Sequence, residues 1–259
     1  MSGVRPESDL PPVVEVDLGP AVRAGFSTRG GGVSRPPYDA LNLGSAVGDE
    51  PWAVQENRER LARWAGAPVA YATQVHGAAV RVLSAAPEPG ELSVGEADAL
   101  VSVSPTVAVA VLVADCVPVL LADPDAGVVA AVHAGRRGLV AGVVQAAVAA
   151  MVGEGAEVGR IRAAVGPAIA GESYEVPAEL QDEVVAVVPQ TRATTAWGTP
   201  ALDLSAGVVA VLGVAGVTRV ALHARDTWTD PALFSFRRSP RTGRFAGVVR
   251  PAPRGPDEW

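Results

Sequence analysis

The chain has 259 residues, a formal net charge of −7 and no lysine, so all 21 of its basic side chains are arginines. The negative net charge argues against a general binder of nucleic acid or of anionic membranes. Apolar residues make up 49% and charged residues 19%, which indicates a globular chain with a substantial core. The single cysteine excludes an internal disulfide and a four-cysteine zinc site.

The sequence also predicts where the protein works. Asp, Pro, Arg or Gly interrupts every apolar run before it reaches the roughly 18 residues that a membrane helix needs. The opening stretch, "MSGVRPESDLPP", lacks the basic and apolar segments of a secretory signal. We therefore expect a cytoplasmic protein, a monomer or small homo-oligomer, that contacts neither membrane nor nucleic acid.

The first half of the chain is predicted to be mainly β-structure. Residues 1–12 are expected to form a flexible N-terminal arm, 13–27 two short strands and 27–44 a loop rich in Gly and Pro. The runs "TVAVAVLVA" and "GVVAAVHA" are apolar at nearly every position, which is typical of strands covered on both faces. Strands are predicted at 69–75, 79–84, 98–103, 107–113, 118–122 and 127–133.

Helices are predicted where capping residues precede apolar runs. Asp49 is expected to cap a helix that ends near Gly66 and that turns Trp52, Leu61 and Trp64 toward the core. Further helices are predicted at 137–153, from Pro177 through 188 and from Asp203 or Ser205 to about 215, with strands at 160–165 and 218–224.

The pattern contains no internal repeat and no clear linker. We therefore expect one α/β domain with mixed sheets over 13–250, between the arm at 1–12 and a C-terminal tail at 251–259. A chain of this length is long enough to bury a substantial core as one domain.

Two of the three histidines and the only cysteine stand at predicted strand ends. His76 ends the strand in "TQVHG", Cys116 lies between two strands in "ADC", and His133 ends a strand that turns into a helix in "VHAGRRG". Strand ends and strand-to-helix turns are where open α/β sheets carry their chemistry. The third histidine, His223, alternates with apolar residues and is interpreted as structural.

Two imidazoles and one thiolate fit a catalytic zinc site, because three protein ligands leave the fourth tetrahedral position open. The three residues are 40 and 17 positions apart, which matches no helical or zinc-knuckle spacing. A lone cysteine is also often a small buried apolar residue, and a lone histidine is often a hydrogen-bonded scaffold residue. Both interpretations stay open on the residues alone, and the recurrence at strand ends favours the metal.

Eight stretches, in order from about residue 25 to 245, resemble the successive signatures of one family. It is the family once labelled multicopper polyphenol oxidase or laccase-domain protein. Its members are now described as purine nucleoside phosphorylases and in some cases as peptidoglycan editing factors. The stretches are "FSTRGGGVS", "LNLG", "TQVHG", "ADALVS", "ADCVPVLLADP", "AVHAGRRGL", "VGPAIAGESYEV" and "FSFRRSPRTGR".

The resemblance implies a compact α/β sandwich of mixed sheets with flanking helices, related to the catalytic domain of cytotoxic necrotizing factor. It implies a zinc ion held by His76, Cys116 and His133, in agreement with the trio above. The implied activity is phosphorolysis of adenosine, inosine, guanosine and methylthioadenosine, with adenosine deamination as a companion. The implied partners are therefore a small nucleoside and phosphate.

Three positions depart from the family's usual pattern. Arg136 stands where Trp is typical, Ser173 where Cys often precedes "YEV", and Asp226 where a Cys-Thr pair is usual. The implied ligand positions are intact, so these departures bear on substrate fit and on the surroundings of the metal.

Phosphorolysis requires a phosphate held against the anomeric carbon of the sugar. Arg29 precedes the glycines at 30–32, and the N–H groups of a glycine loop beside a guanidinium favour a phosphate. The alternative is a plain turn with a solvated arginine. Arg137, at a helix start, is a second anion candidate. Gln74 and Asn42 are candidates for reading purine edges or ribose hydroxyls, or else they tie loops together.

The sequence assigns no single residue to proton transfer. Asp115 could orient a ligand or move a proton, or it could cap a turn. Zinc could polarise the purine or supply hydroxide for attack on C6 of adenine. The residues do not single out a general acid.

Three other functions compete with this one. Copper oxidation fails on counting, because a multicopper centre needs roughly ten histidines and the chain has three. A cysteine hydrolase would use Cys116 as nucleophile and His133 as base, and a cell-wall precursor would be its substrate. A non-catalytic zinc domain that binds a partner is the third. The residues do not choose between a nucleoside and a muropeptide precursor.

Overall fold

Two β-sheets packed face to face carry helices on their outer surfaces. The structure, a computed structural model, describes residues 10–252. Its α-helices are α1 (Pro51–Ala65), α2 (Arg136–Val140), α3 (Val143–Gly153), α4 (Ala178–Val187) and α5 (Leu204–Val214). Its strands are β1 (Val13–Glu15), β2 (Val22–Ser27), β3 (Val69–Ala70), β4 (Val80–Leu83), β5 (Ala99–Ser102), β6 (Ala108–Val113), β7 (Val117–Asp123), β8 (Val128–Ala134), β9 (Arg162–Val165), β10 (Arg192–Thr194), β11 (Pro200–Leu202), β12 (Arg219–Leu222) and β13 (Phe245–Pro251).

The two sheets each mix strand orientations. One has five strands in the order β1-β2-β13-β6-β3, and the other has six in the order β12-β9-β7-β8-β5-β4. β3 runs parallel to β6 and β4 parallel to β5, whereas β7 and β8 are antiparallel. A separate hairpin, which the sequence pattern does not predict, joins β10 to β11. The predicted α/β class with mixed sheets is confirmed, and the kinship with cytotoxic necrotizing factor stays a prediction.

The core between the sheets follows from the continuous apolar runs. Successive side chains of a strand point to opposite faces. In β8, Val129 and Ala131 join the cluster between the two sheets, whereas Val128, Ala130 and Val132 pack on the helix-covered side. All seven residues of β8 are buried. The prediction that this run is a strand covered on both faces is therefore confirmed.

Helix α1 covers the outer face of the five-stranded sheet through Leu61 and Trp64. Trp52 is 59% exposed, so the prediction that it shares this buried face is wrong. The reason is helical geometry, because a separation of nine residues puts Trp52 about half a turn around the helix from Leu61.

None of the helices between residues 10 and 252 is long and apolar enough to cross a membrane.

Of the helix N-caps predicted at Asp49 and Asp203, the first is wrong and the second is confirmed. The N-cap of α1 is Glu50 and not Asp49. The carboxylate of Asp49 instead accepts hydrogen bonds from Ser34 Oγ at 2.6 Å and Asn42 Nδ2 at 2.9 Å, and it thereby organises the preceding loop. The cap of α5 is confirmed, because Asp203 accepts a backbone N–H of the first turn at 2.9 Å.

The helix predicted at 137–153 is in fact two helices. α2 ends at Val140 and α3 begins at Val143, with Gly142 at a φ of 86° between them. This left-handed conformation favours glycine and cannot continue a right-handed helix. The chain therefore changes direction directly after the short helix that follows His133.

The sequence pattern does not predict β13, which lies between β2 and β6 at the centre of its sheet. Its last residue, Pro251, pairs with Val22, and the N–H of Ala252 donates to the carbonyl of Ala21 at 2.7 Å. The prediction of a tail from 251 onward is therefore wrong for these two residues, and 253–259 lie outside the described residues. Proline has no N–H to donate to a neighbouring strand and is tolerated here only at the end of the strand. Pro251 therefore favoured a tail in the sequence pattern.

The predicted N-terminal arm is attached to the fold where the structure describes it. The carbonyl of Pro12 accepts a hydrogen bond from the N–H of Thr28 at 3.2 Å, and Pro11 is buried. Residues 10–12 are thus part of the domain. The rest of the predicted arm, 1–9, lies outside the described residues.

Leu120 in β7 is fully buried between the sheets and provides a test of this core. We expect Leu120→Ala to lower the free energy of unfolding by about 2–5 kcal/mol, because the change removes buried methyl groups and leaves a cavity. Urea unfolding followed by circular dichroism should show a lower midpoint with an unchanged slope. Val214→Ala, at a position 88% exposed, is the control and should change stability by less than about 0.5 kcal/mol. Equal shifts in the two variants would contradict the assignment of this core.

Candidate metal centre

Three side chains from separate parts of the chain meet at one point. His76 lies in the loop between β3 and β4, Cys116 in the turn between β6 and β7, and His133 near the end of β8. Their candidate ligand atoms all lie within 4.8 Å of one another, and Cys116 Sγ is 3.8 Å from His76 Nε2. The two imidazole rings are 4.7 Å apart between centroids, at an angle of 76°. The three residues singled out in the sequence thus converge in space. The strand predicted at 69–75 is wrong beyond Ala70, so His76 lies in a loop and does not end a strand.

Sheet register explains how Cys116 and His133 come together. β7 and β8 pair antiparallel with Pro118 opposite His133, and two further steps of this register bring Cys116 opposite Gly135. A Cβ atom on Gly135 would lie 3.0 Å from the sulfur of Cys116 and 2.7 Å from Cδ2 of His76. Side chains do not approach so closely, so glycine is required here for the trio to assemble.

A fully buried carboxylate, Asp98, holds both histidines from behind. Nδ1 of His133 donates to Oδ1 of Asp98 at 2.8 Å, which leaves Nε2 of that ring for a metal. The N–H groups of Val75, His76 and Gly77 donate to the same carboxylate at 3.2, 2.9 and 2.7 Å. Carboxylates so placed fix the tautomer and orientation of metal-binding histidines. Asp98 therefore positions His133 through the imidazole ring and His76 through the backbone of its loop.

Two residues of the site have left-handed backbone conformations, with φ of 60° at His76 and 98° at Asp115. Such conformations cost non-glycine residues about 1–3 kcal/mol and persist where the surroundings impose them. For His76 the surroundings include Asp98. The carboxylate of Asp115 accepts hydrogen bonds from the hydroxyl of Thr227 and the N–H of Arg237, both at 2.6 Å. Asp115 thus ties the β6–β7 turn to the segment that follows β12.

The close approach of the thiol and the imidazoles shifts their pKa values. Burial by itself would raise the pKa of the Cys116 thiol, but the charge and hydrogen bonding of His133 and His76 lower it to about 6. Burial by itself would lower the pKa of His133, but the Cys116 thiolate and Asp98 raise it to about 9. The pKa of Asp98 falls below its ordinary value in spite of burial, because His133 and backbone N–H groups donate to it. At neutral pH the trio therefore contains a thiolate, which is the form that binds metals and attacks electrophiles.

The metal-free protein should react with iodoacetamide at a pH where ordinary thiols do not. The thiolate is the reactive species, so the alkylation rate should rise with pH and reach half its plateau near pH 6, the pKa of Cys116. N-acetylcysteine is the reference and should reach half its plateau near about pH 8.5. Mass spectrometry of the intact protein measures the rate, since the chain contains one thiol. A protein midpoint equal to that of the reference would show that the histidines do not stabilise the thiolate.

The trio lies in the wall of a cavity of about 630 Å³. Small-molecule sites commonly have volumes of roughly 300–1,000 Å³, so a nucleoside-sized ligand is compatible with this space. Polar and aromatic lining residues besides the trio include Arg58, Gln74, Asp115, Arg136, Tyr174, Phe236, Arg237 and Arg244.

The two amides predicted to read the substrate are both engaged in the fold. Gln74 lines the cavity, but its Nε2 donates to the carbonyl of Leu112 at 2.8 Å and its Oε1 accepts the N–H of the same residue at 2.7 Å. Asn42 is fully buried and is not among the lining residues. Its amide bonds to backbone groups of Gly44 and Arg244. Both side chains tie loops together, which is the alternative that the sequence left open.

The two arginines predicted to bind an anion are not among the lining residues either. Arg29 forms an ion pair with Asp39 at 2.7 Å, donates from Nε to the carbonyl of the same residue, and lies 5.2 Å from the ring of Phe234. Arg137 is exposed and donates to the carbonyl of Val75 at 3.5 Å. Tertiary pairing therefore occupies Arg29, and other arginines line the cavity.

Two of the three departures from the family pattern contact each other. Ser173 Oγ donates to Asp226 Oδ2 at 2.7 Å. Asp226 also accepts the N–H groups of Ala170 at 3.1 Å and Trp228 at 3.0 Å, so it joins two loops. Arg136, the third departure, lines the cavity. Of the three, it is the one placed to affect a ligand.

The donor set of the trio suits a divalent ion. Tetrahedral zinc, with bonds of about 2.0–2.3 Å, holds its nitrogen and sulfur ligands about 3.3–3.6 Å apart, and the 3.8 Å between Cys116 Sγ and His76 Nε2 is close to that separation. His133, with Asp98 on Nδ1, presents its other nitrogen to the same point. These residues could therefore hold a metal ion. Thiolate and imidazole serve both zinc and copper, so the donors alone do not identify the ion.

Comparison with known proteins supplies the relationship. The model of the family described as multi-copper polyphenol oxidoreductase laccase matches residues 23–251. The chain belongs to this family. A member from Streptomyces coelicolor, named purine nucleoside phosphorylase, is 54% identical over 228 residues, which cover 87% of this chain and 93% of the relative. A Mycobacterium tuberculosis protein of the same name is 48% identical over 231 residues, or 88% and 91% of the two chains.

Solved structures agree with the laccase-family assignment. A Neisseria meningitidis protein has a TM-score of 0.84 and 36% identity over 93% of this chain and 99% of its own. YlmD from Geobacillus stearothermophilus has a TM-score of 0.83 and 31% identity, covering 90% and 93%. The family fold therefore extends over nearly the whole chain.

The sequence of this laccase-family chain predicts the trio but not four residues that surround it: Asp98, Tyr174, Arg237 and Arg244. All four lie in stretches that carry the resemblance, "ADALVS", "ESYEV" and "FSFRRSPRTGR". For Asp98 a signal was present, because an acid inside the apolar run "ADALV" is expected to be buried with a partner. The arginines had no comparable signal, since an exposed loop arginine looks the same whether or not it faces a cavity.

Proposed function

We propose that the chain is a zinc-dependent purine nucleoside phosphorylase. The observation that carries the proposal is the convergence of His76, Cys116 and His133 in the wall of a ligand-sized cavity. Relatives 48% and 54% identical over nearly the whole chain bear the name purine nucleoside phosphorylase, which supports this choice of reaction. Adenosine, inosine, guanosine and methylthioadenosine are the proposed nucleosides, and inorganic phosphate is the second substrate.

In this proposal Nε2 of His76, Sγ of Cys116 and Nε2 of His133 hold the zinc. When bound, the ion supplies positive charge that polarises a group of the substrate. Asp98 keeps both histidines oriented, and the low pKa of Cys116, about 6, makes its thiolate available at neutral pH. The presence of only three histidines in the sequence disfavours a multicopper centre.

The reaction transfers a pentosyl group from the purine to phosphate. A phosphate oxygen bonds to C1′, the bond from C1′ to N9 breaks, and its electron pair passes to the purine, which takes up a proton. The products are free base and pentose 1-phosphate.

Gln74 and Asp115 contribute to the wall through their hydrogen bonds to backbone groups. Arg29, Asn42 and Arg137 lie outside the wall. Their hydrogen bonds support the surrounding loops.

Incubation of zinc-loaded protein with inosine and phosphate tests the proposal. We expect equal amounts of hypoxanthine and ribose 1-phosphate by liquid chromatography, a dependence on phosphate, and loss of the reaction after metal removal. Adenosine, guanosine and methylthioadenosine are measured in parallel. No release of base from any of the four nucleosides, with or without added zinc, would overturn the proposed function.

Adenosine deamination is proposed as a companion activity in the same cavity. A polarised water adding to C6 of adenine would release ammonia and leave inosine. Omission of phosphate separates the two reactions, because deamination consumes water and not phosphate. Ammonia formation from adenosine in phosphate-free buffer supports this activity, and its absence removes it without affecting phosphorolysis.

A cysteine hydrolase is the second candidate, because Cys116, His133 and Asp98 also form a series of nucleophile, base and orienting acid. Such an enzyme would act on peptidoglycan precursors. Metal and electrophile compete for the same sulfur, so native mass spectrometry separates the candidates. Bound zinc that protects Cys116 from alkylation favours the phosphorylase, whereas a reactive thiol in active, metal-free protein favours the hydrolase.

A cytoplasmic location and a monomeric or small homo-oligomeric state complete the proposal. Both rest on the composition of the sequence, which includes a single cysteine and therefore no internal disulfide. Size-exclusion chromatography with light scattering measures the assembly directly. A mass above that of a tetramer would contradict the proposed state.

A further inference from the structure

The cavity that contains the trio has a positively charged wall. Among the described residues, four arginines and one acid, Asp115, line it, in a chain whose net charge is −7. Both carboxylate oxygens of Asp115 are engaged by Thr227 and by a backbone N–H. Arg58 is committed to the fold, since it donates to the carbonyls of Leu43 and Leu92 at 2.9 and 3.0 Å. The charge available to a ligand therefore comes from the other three arginines. Of these, Arg244 is itself held by the fold, because its Nη1 donates to the carbonyls of Thr242 and Gly243 at 3.1 and 3.0 Å.

These three, Arg136, Arg237 and Arg244, form no ion pair with any residue between 10 and 252. Some arginines elsewhere in the fold pair with acids, as Arg160 does with Asp123 at 3.0 Å, whereas others, such as Arg238, donate to backbone carbonyls. Guanidinium groups gathered at one cavity without carboxylate partners produce a positive potential there and attract anions. An anionic ligand would supply the missing partner.

Arg136 and Arg237 act on the same side chain, Tyr174. The guanidinium of Arg237 lies 4.9 Å from the ring centroid, and its Nη1 donates to the carbonyl of Glu175 at 2.8 Å, which fixes the group in place. Burial and the Cys116 thiolate raise the pKa of Tyr174, whereas Arg136 and Arg237 oppose that rise. The hydroxyl therefore stays protonated at neutral pH and remains a hydrogen-bond donor beside two cations.

We propose that Arg136, Arg237 and Tyr174 form a phosphate subsite next to the metal trio. Two guanidinium groups and a hydroxyl match the charge and the several acceptor oxygens of a phosphate dianion. The inference rests on the proposed function and replaces Arg29 and Arg137 as the groups that hold the anion. Two sources supply this chemistry: inorganic phosphate as a co-substrate, or the 5′-phosphate of a purine nucleotide.

Calorimetric titration of the zinc-loaded protein distinguishes the two sources. The ligands are inorganic phosphate, AMP and adenosine, each alone, against wild type, Arg136→Gln and Arg237→Gln. We expect the Kd of the phosphate-bearing ligand to rise at least about 10-fold in both variants, because each removes a charge-assisted hydrogen-bonding group. The Kd of adenosine should stay within about twofold, since adenosine lacks the anion that these groups recognise. Loss of phosphate binding identifies the free anion, and loss of AMP binding alone identifies the nucleotide.

Arg241→Gln is the matched control, because Arg241 is exposed and is not among the lining residues. An equal loss of affinity in this variant would reduce the effect to general electrostatics and overturn the subsite. So would wild-type protein that binds neither phosphate nor AMP, or affinities that both Gln variants leave unchanged. If Arg237→Gln lowers the thermal midpoint, Arg237→Lys replaces it. That variant keeps the charge, loses the planar fork and should weaken binding by about threefold or more.

Kinetics separate failure of the subsite from failure of the proposed function. In the phosphorylase assay, both Gln variants should raise KM for phosphate at least about 10-fold, because the subsite binds the anion, with little change in KM for inosine. Base release with an unchanged KM for phosphate would overturn the subsite and leave the phosphorylase standing. Anion binding that depends on both arginines, without release of base, would support the subsite and overturn the phosphorylase.

Discussion

Replacement of Asp98 by Asn is expected to weaken zinc binding by about 10- to 100-fold. Asp98 accepts hydrogen bonds from three backbone N–H groups and from Nδ1 of His133. The neutral amide of Asn has one acceptor oxygen, and its NH₂ group would face donors. His133 would then lose its anionic partner, and the loop that presents His76 would lose part of its anchor. Competition with a chromogenic chelator on metal-free protein measures the affinity.

Asp123→Asn is the matched control for that experiment. Asp123 is also a fully buried carboxylate with backbone and side-chain donors, but these are Arg160 and the N–H groups of Asp125, Ala126 and Glu157. We expect this variant to lose stability without losing zinc affinity. Asp98→Asn should also raise the pH midpoint of Cys116 alkylation, because His133 becomes less basic; a general loss of packing has no such effect. Zinc affinity within twofold of wild type in Asp98→Asn would contradict the positioning role.

The metal trio was predictable because its local surroundings were visible in the sequence. Cys116 and His133 each end or interrupt an apolar run, and such runs define strands without knowledge of their partners. His76 lies in a loop, where the motif "TQVHG" and not a strand identified it. What brings them together is not local. The antiparallel register of β7 and β8 aligns Cys116 with Gly135, and only pairing across the sheet determines it.

The residues around the trio were less predictable for the same physical reason. The donors to Asp98 are 21 to 23 and 35 residues away along the chain, so no short motif contains the whole arrangement. Arg29 is the opposite case, because its glycine-rich loop favours an anion locally while Asp39 neutralises it in the fold. Strand β13 is a further case, because Pro251 favours a tail locally although Phe245–Pro251 pairs with strands on both sides. In each case a tertiary contact overrides the local pattern.

Cys116→Ala is expected to lower the rate of base release by at least about 100-fold, equivalent to about 2.7 kcal/mol of transition-state stabilisation. The change removes the one sulfur donor of the trio, together with the nucleophile of the competing hydrolase mechanism. Stability in the metal-free state should fall by only about 1 kcal/mol, because the side chain is small and only partly buried. For a chain of this size that corresponds to a thermal midpoint about 2–4 °C lower.

Val148→Ala shows the opposite pattern and serves as the control. Val148 is buried in α3 and is not among the cavity-lining residues, so truncation should cost stability and leave kcat near the wild-type value at temperatures well below unfolding. The comparison is made on protein stripped of metal for stability and reloaded for activity, since bound zinc adds its own stabilisation through mass action. A non-catalytic zinc domain predicts something different: wild-type protein would unfold on chelation, and metal-free Cys116→Ala would be equally unfolded. If chelation leaves the wild-type fold intact while Cys116→Ala abolishes base release, the sulfur serves the reaction and not the fold.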